Sequence, residues 1–528
     1  MIRSTTRARA SASPVTDLRE RRWVVIAGLV AWLAALAGFR ALTSPEEARY
    51  SSVAWAMARS RDWLTPMLNG LPFLDKPPLF YWIDAGAMRL FADPQWASRA
   101  APLVGAIAGA LVLWRWIRQR CQPRLATWTL LALATLPLFF GGSQFANVDM
   151  LVAGCISVTV CCAADSILRA QQGVPHRRLV TAAWIAAAVG VLAKGLIGVV
   201  LPTLVLLFWS LATRRGRLLS IFAWPPAWLA FVALAAPWFV AQAWLHPGFV
   251  DHFFLRHHLG RFAGTGFNSA RSWWFYLVAI PALTLPWSLW LPWARWRRDP
   301  VADDDADGLR SLMWIWLATI TIFFSIPESK PLGYAMPVLF PLAFLVADAA
   351  CSLRSSSIWL AKATVAAAAL ISLAYVLISG VTYDHDHRIL GRTLGVLRKT
   401  ADPVAFLGDY YYDVSIYARL DQPVRVLGDW TSPSFWEADD WRRELAEAAA
   451  FDPAKAKTTL VDRRGTFAVA CGQALWAVGP EGAERRMPEL TTALRILESN
   501  GAVLWRLAPA GCTGPATPSG GASAAGLR

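Results

Sequence analysis

Residues 23–42 read WVVIAGLVAWLAALAGFRAL, and the four residues before them, 19–22, read RERR. An apolar run of this length can cross roughly 30 Å of hydrocarbon as a helix, because each residue advances the chain by about 1.5 Å. The arginines ahead of it hold that end in the cytoplasm, since short cationic segments resist translocation. No small-residue cleavage site precedes Pro45, so the run is expected to be a retained first helix rather than a leader. The same signature recurs along the chain. Comparable runs lie near 97–117, 125–142, 149–169, 179–194, 196–213, 221–244, 273–294, 310–326, 331–350 and 358–380.

Composition agrees with this reading. Of 528 residues, 56% are hydrophobic and 16% charged, whereas a soluble domain carries about 25% charged residues to face water. The net charge of +15 sits in short groups between the apolar runs, around 115–124, 169–178, 214–217 and 295–298. That is the pattern of cytoplasmic loops, without the interleaved aromatics of a nucleic-acid groove, so no nucleic acid is expected as a partner. The 29 tryptophans suit belts at headgroup level. Seven cysteines form no CxxC pair and no disulfide framework, and a pairing of Cys471 with Cys512 is left open by sequence.

One segment decides the topology. Pro77 to Phe91 is apolar but short and carries Asp84 and Arg89; if it crossed the membrane, every later basic cluster would fall outside. It is therefore read as a juxtamembrane or re-entrant helix. Five connections then share the outer face: 43–96, 143–148, the turn near Lys194, 245–272 and 327–330. The expected fold is a mainly α, polytopic bundle of about 11 to 13 spans. A cytoplasmic tail (1–21) precedes the membrane domain (22–380), and a small α/β domain on the outer face (381–510) follows it. In that last domain Val404–Leu407, Val424–Leu427, Thr459–Val461 and Thr466–Ala470 read as strands, and Ala438–Ala450 and Glu489–Ser499 as helices. The Gly/Ala/Ser-rich segment 511–528 reads as a disordered tail.

The chemistry concentrates in the first outer loop. Glu46, Glu47, Arg49 and Tyr50 follow a membrane helix, and Asp75, Lys76, Pro77 and Pro78 come next. The two glutamates can simply complement a helix dipole behind Pro45. Gathered with Arg49 and Lys76 at a bilayer surface, they also suit an anionic substrate. A carboxylate can orient a nucleophile, and cations can stabilise a phosphate leaving group. His252, His257 and His258 have no HExxH spacing, so no metal site is assigned; a divalent cation remains an option without sequence support.

These motifs resemble a known family. EEARY at 46–50 and RDWLTPMLNGLPFLDKPPLFYW at 61–82 are similar to the first outer loop of the membrane-embedded C-type glycosyltransferases, in the branch of the bacterial aminoarabinose (lipid A) transferases and the dolichyl-phosphate-mannose protein mannosyltransferases. The likeness continues through NVDML (147–151), LAKG (192–195), HHLGRF (257–262), WWFYL and LPWSL (273–289) and SKPLGYAMP (329–337). It implies that Glu46 activates the acceptor, with Glu47 as its acidic neighbour, and that Lys76 holds the carrier phosphate. It also puts Arg49, Tyr50, Asp75, Asp149, Lys194, His257, Arg261, Lys330 and Tyr334 at the substrate. Two positions depart from the family form: Glu46 stands for an aspartate, and Asp75 for a glutamate. The implied reaction needs no cofactor. It moves a sugar, aminoarabinose in type, from undecaprenyl phosphate to a lipid A phosphate on the periplasmic face of the bacterial inner membrane, with membrane lipids as the surroundings. Transfer to protein hydroxyls or another envelope glycan is the alternative in the same class. A transporter or flippase is the alternative in another; it would favour paired interrupted helices in two related halves, and no such repeat is visible.

Overall fold

The computed structural model describes residues 14–260, 270–296, 308–352, 355–382, 386–430, 442–462 and 473–507. Arg261, the expected strand Thr466–Ala470, both Cys471 and Cys512, and the 511–528 tail lie outside these residues.

Each apolar run named above lies on helical structure, but the runs differ in kind. Among the described residues five continuous helical segments are long and apolar enough to cross a membrane: Ala100–Arg120, Val148–Gln171, Pro225–Leu245, Leu332–Cys351 and Ile358–Thr382. Two further candidates are bent pairs, Pro123–Thr135 with Pro137–Ser143 at 65°, and Phe275–Leu283 with Trp287–Ala294 at 107°. Both bends fall at prolines, Pro137 and Pro286, where a backbone N–H is missing and the ring crowds the preceding turn. Counting bent pairs as single spans gives up to seven, and shorter apolar helices run over Trp23–Ala34, Ile197–Ala212 and Leu309–Ser325. The first helix runs Pro14–Ala34, so it ends before Leu42, where the apolar run had placed its limit. Leu79–Leu90 is a helix of 12 residues, about 18 Å long, and too short to span.

Burial sorts the bundle into centre and rim. In Val148–Gln171 89% of the apolar stretch is buried, against 17% in Pro225–Leu245 and in Ile358–Thr382. The central helix is packed by glycine: a Cβ added at Gly154 would come within 2.0 Å of the Gly105 carbonyl oxygen, and one at Gly105 within 2.5 Å of Leu151 Cα. Small residues allow this backbone approach where no hydrophobic force drives helices together.

The C-terminal region forms a six-stranded sheet. After a two-stranded hairpin of β1 (Met67–Leu68) and β2 (Leu71–Pro72) in the first loop, its strands are β3 (Val404–Leu407), β4 (Arg425–Gly428), β5 (Leu460–Asp462), β6 (Leu475–Pro480), β7 (Leu494–Ser499) and β8 (Ala502–Leu507), in the order β5-β4-β3-β6-β8-β7. The first four positions in this order pair in parallel and the last two antiparallel. The helix expected over Glu489–Ser499 is instead a short 3-10 turn, Pro488–Thr492, and then strand β7. Asn500 and Gly501, at φ 50° and 74°, close a two-residue hairpin into β8, the turn for which an Asn-Gly pair is suited. The C-terminal region packs against residues 42–69. Leu42 N donates to Tyr417 Oη at 3.0 Å, Trp55 Nε1 to the Leu420 carbonyl at 2.9 Å, and Asn69 exchanges bonds of 2.9 and 2.8 Å with the Val424 backbone.

Gly154→Ala should therefore destabilise the protein by roughly 1–3 kcal/mol through overpacking. Gly28→Ala, where an added Cβ meets nothing within 4 Å, should be close to neutral. Thermal unfolding of both variants in detergent checks the contrast.

Candidate active site between the first loop and the C-terminal domain

The helix Glu46–Ser60 carries the first group of residues. Glu46, Arg49 and Tyr50 are spaced to share one face of that helix, while Glu47 turns to another. The two adjacent glutamates consequently have different surroundings. Glu47 is fully buried. Its Oε2 accepts from Arg40 Nη1 at 2.6 Å, Arg99 Nη2 at 3.1 Å, Thr43 N at 3.1 Å and Thr43 Oγ1 at 3.2 Å. Its Oε1 accepts from Arg99 Nε at 3.1 Å and Ala146 N at 2.8 Å. Burial alone would raise the pKa of Glu47, but the charges and hydrogen bonds of Arg99 and Arg40 outweigh it and bring it to about 2. Both oxygens of Glu47 are thus occupied by donors, an arrangement that holds the first turn of the helix in place. Glu46 is half-buried, and its Oε2 meets no hydrogen-bond donor among the described residues.

Arg49 pairs with Glu444 of the helix Arg442–Ala449 and lies over the Tyr50 ring, 4.7 Å from its centroid. Tyr50 in turn stacks on Tyr81 at 6.4 Å and meets the edge of Phe80 at 5.7 Å, giving the site an aromatic floor. Burial disfavours the Arg49 charge, but Glu444 more than compensates, so Arg49 stays protonated. For Glu444 burial wins over the attraction of Arg49 and lifts its pKa to about 7.

Asp75 and Lys76 lie against this pair. Lys76 is half-buried, with its ammonium 3.2 Å from the Asp75 carbonyl oxygen, and its charge reaches both Asp75 and Glu444. Asp75 Oδ1 is 2.7 Å from His252 Nε2 and 3.5 Å from His257 Nε2. Burial pushes the Asp75 pKa up, but His257, His252 and Lys76 together hold it well below the usual carboxylate range. His252 and His257 sit on a π-helical segment, Asp251–Gly260, with ring centroids 4.5 Å apart. Five residues apart, they are brought to one face by the i→i+5 register and would be splayed by an α-helix. Glu447 completes the group, 3.3 Å from His257 Nε2 and bonded by Arg256 at 3.0 Å and Arg443 at 2.9 Å.

One donor atom from each of Asp75, His252, His257 and Glu447 lies within 4.8 Å of the others. Two imidazole nitrogens and two carboxylate oxygens suit a four-coordinate divalent cation such as Zn²⁺. Bound there, it would tie the C-terminal helix to the loop. The metal option that the sequence left without support thus has a geometry, built from His257 and Asp75, which were expected at the substrate, and from His252 and Glu447, which were not assigned.

Asp149, Lys194 and Tyr334 form a neighbouring group. Asn147 caps the helix Val148–Gln171, accepting from Asp149 N at 3.0 Å, so Asp149 stands in the favourable first turn. Lys194, in the last turn of Arg177–Lys194, pairs with Asp149 and lies 4.6 Å from the Tyr334 ring centroid. A Cβ at Gly333 would sit 1.9 Å from Asp149 Oδ2, so only glycine fits there. Lys330 does not join either group. It is 2% exposed and donates to the carbonyls of Arg271 (2.9 Å), Pro327 and Glu328 (3.5 Å). These bonds close the 327–330 turn onto residue 271.

Sequence reasoning missed Glu444, Glu447 and Arg256. Glu444 and Glu447 stand one helical turn apart in RRELAEA (442–448), a visible amphipathic signal, but nothing local links them to residues 395 and 190 positions away.

Glu47→Gln should lower stability by roughly 3 kcal/mol at neutral pH, because it leaves two buried guanidiniums uncompensated. Since the folded pKa lies below the ordinary value of 4.5, the contribution of Glu47 is complete above about pH 4.5 and fades as pH falls toward 2. Melting curves of wild type and variant should therefore converge on acidification.

Residues 75–241 match the dolichyl-phosphate-mannose-protein mannosyltransferase family. The undecaprenyl phosphate-alpha-4-amino-4-deoxy-L-arabinose arabinosyl transferase of Pseudomonas aeruginosa is 30% identical over 314 residues, 58% of this chain and 55% of that protein. The enzyme of the same name from Erwinia tasmaniensis is 27% identical over 350 residues, 65% of this chain and 61% of that protein. The matched region thus spans somewhat over half the length of these curated relatives. Among solved structures, ArnT from Cupriavidus metallidurans bound to undecaprenyl phosphate shares the fold, with a TM-score of 0.75, 20% identity, and coverage of 92% of this chain and 98% of that one. The chain is a multi-pass membrane protein by its helices, shares the fold of that arabinosyl transferase structure, and over residues 75–241 is similar to the protein mannosyltransferase family.

Proposed function

We propose that the protein transfers an aminoarabinose-type sugar from undecaprenyl phosphate to a phosphate of lipid A, on the periplasmic face of the bacterial inner membrane. The observation that carries this reading is the convergence of Lys76, Arg49, Asp75 and two histidines at the end of the bundle where the other outer connections also meet. The five connections read as outer are joined to one another. Glu47 reaches Ala146, Asp149 reaches Lys194, Asp75 reaches His252, and Lys330 reaches Arg271. The basic residues Arg120 and Arg169 pair with Asp165 at the other end of the central helix. Relatives named for this reaction, and a neighbour solved with undecaprenyl phosphate, support the choice of donor.

The chemistry follows from the charges. An acceptor oxygen attacks the anomeric carbon from the face opposite the carrier. The bond from that carbon to the phosphate oxygen breaks, and undecaprenyl phosphate leaves with the electron pair, inverting the centre. Lys76, whose ammonium sits on the first loop beside the apolar helices, stabilises the charge that develops on the departing phosphate. Glu46, with an oxygen that meets no donor among the described residues, orients the acceptor and takes its proton where there is one. A lipid-linked donor enters from the bilayer, which explains a site at the ends of the helices rather than in a water-filled cleft.

A second reading, transfer to protein hydroxyls, is favoured by the description of the matched family. In it Glu46 would act as a true base, since a hydroxyl must lose its proton while a phosphate need not.

Purified wild type incubated with undecaprenyl-phosphate aminoarabinose and lipid A should give lipid A heavier by one sugar. Lys76→Ala and Glu46→Ala should each lower that transfer by about 100-fold or more at unchanged expression. Near-wild-type transfer by both would remove this site.

A further inference from the structure

Glu444 and Glu447 share a face of the helix Arg442–Ala449, one turn apart, but they are used differently. Both oxygens of Glu447 are engaged, by His257, Arg256 and Arg443. Glu444 gives one oxygen, Oε1, to Arg49, while its Oε2 is buried and meets no donor among the described residues. A carboxylate oxygen withdrawn from water without a hydrogen bond is unfavourable, and the penalty is relieved when a ligand supplies the donor. The surroundings restrict that ligand. Tyr81 and Tyr412 lie within electrostatic reach of Glu444, and so do Lys76 and Asp75. An acceptor beside aromatic rings and a phosphate-binding lysine fits a polar sugar ring joined to a phosphate.

We propose that Oε2 of Glu444 receives the amino group of the transferred sugar, so that the C-terminal domain selects a cationic amino sugar over a neutral one. The inference rests on the glycosyl-transfer reading and adds to it a specificity residue from outside the membrane domain. An ammonium makes the stronger, charge-assisted bond to that oxygen, whereas a hydroxyl at the same position donates only a weaker neutral-donor bond.

The test uses the full chain, lipid A as acceptor, and two donors: undecaprenyl-phosphate aminoarabinose and its analogue with a hydroxyl in place of the amine. Glu444→Gln keeps the side-chain shape and an amide oxygen for Arg49, and a melting curve verifies its fold. In Glu444→Gln the KM for the amino donor should rise roughly tenfold or more, while that for the hydroxyl donor stays within about threefold. A role confined to holding Arg49 would instead change both donors alike. An equal effect on both donors, or none on either, in a transfer-active wild type overturns the inference and leaves the glycosyl-transfer reading standing. A wild type inert with both donors removes that reading and the inference with it.

Discussion

The buried carboxylate of Glu47 is the tie on which the site depends. It joins the start of the Glu46–Ser60 helix to Arg40, to Arg99 at the head of Ala100–Arg120, and to Ala146 just before the central helix. Arg99 continues the network to the carbonyls of Ala37, Arg40 and Ala41, at 2.5, 2.8 and 3.0 Å. A charge removed from water is tolerated only when its partners are this complete, and losing one of them strands the others. The result is a fixed first turn. With Glu47 held inward, the face bearing Glu46, Arg49 and Tyr50 must point toward the C-terminal domain. Neighbouring residues of the same type thereby divide into an anchor and a functional group.

The fold was legible where lipid is the solvent. Hydrocarbon leaves no choice but helices for apolar runs, so the runs from 97–117 to 358–380 were located to within a few residues. What hydropathy cannot register is a break inside a run. Pro137 and Pro286 turn two expected rods into bent pairs, and three other runs form shorter apolar helices, so the long continuous helices are fewer than the runs. The segment at 489–499 failed for another reason: its residues were read at helical period, while the Asn500–Gly501 pair that follows asks for a hairpin.

The site was half legible. Glu46, Arg49, Asp75 and Lys76 stand in one loop, where composition and family likeness both point. Their partners come from far along the chain, and such contacts leave no local trace. His252 was passed over because its spacing to His257 matches no α-helical metal motif; the π-helical register turns five residues into one face. The carbonyl partners of Lys330, on residues 271 and 328, are likewise invisible in the sequence around it.

Charge balance explains why one substrate class suits this arrangement. Arg49, Lys76, Arg256 and Arg443 face Asp75, Glu444 and Glu447, so the cluster is nearly compensated before anything binds. A purely anionic ligand would pair with Lys76 while leaving Oε2 of Glu444 without a donor among the described residues and adding to the negative charge around it. A phosphate-linked amino sugar brings both signs a few bonds apart. Its phosphate can meet Lys76 while its ammonium meets Glu444, and each bound charge then finds a partner in a setting where water supplies little screening.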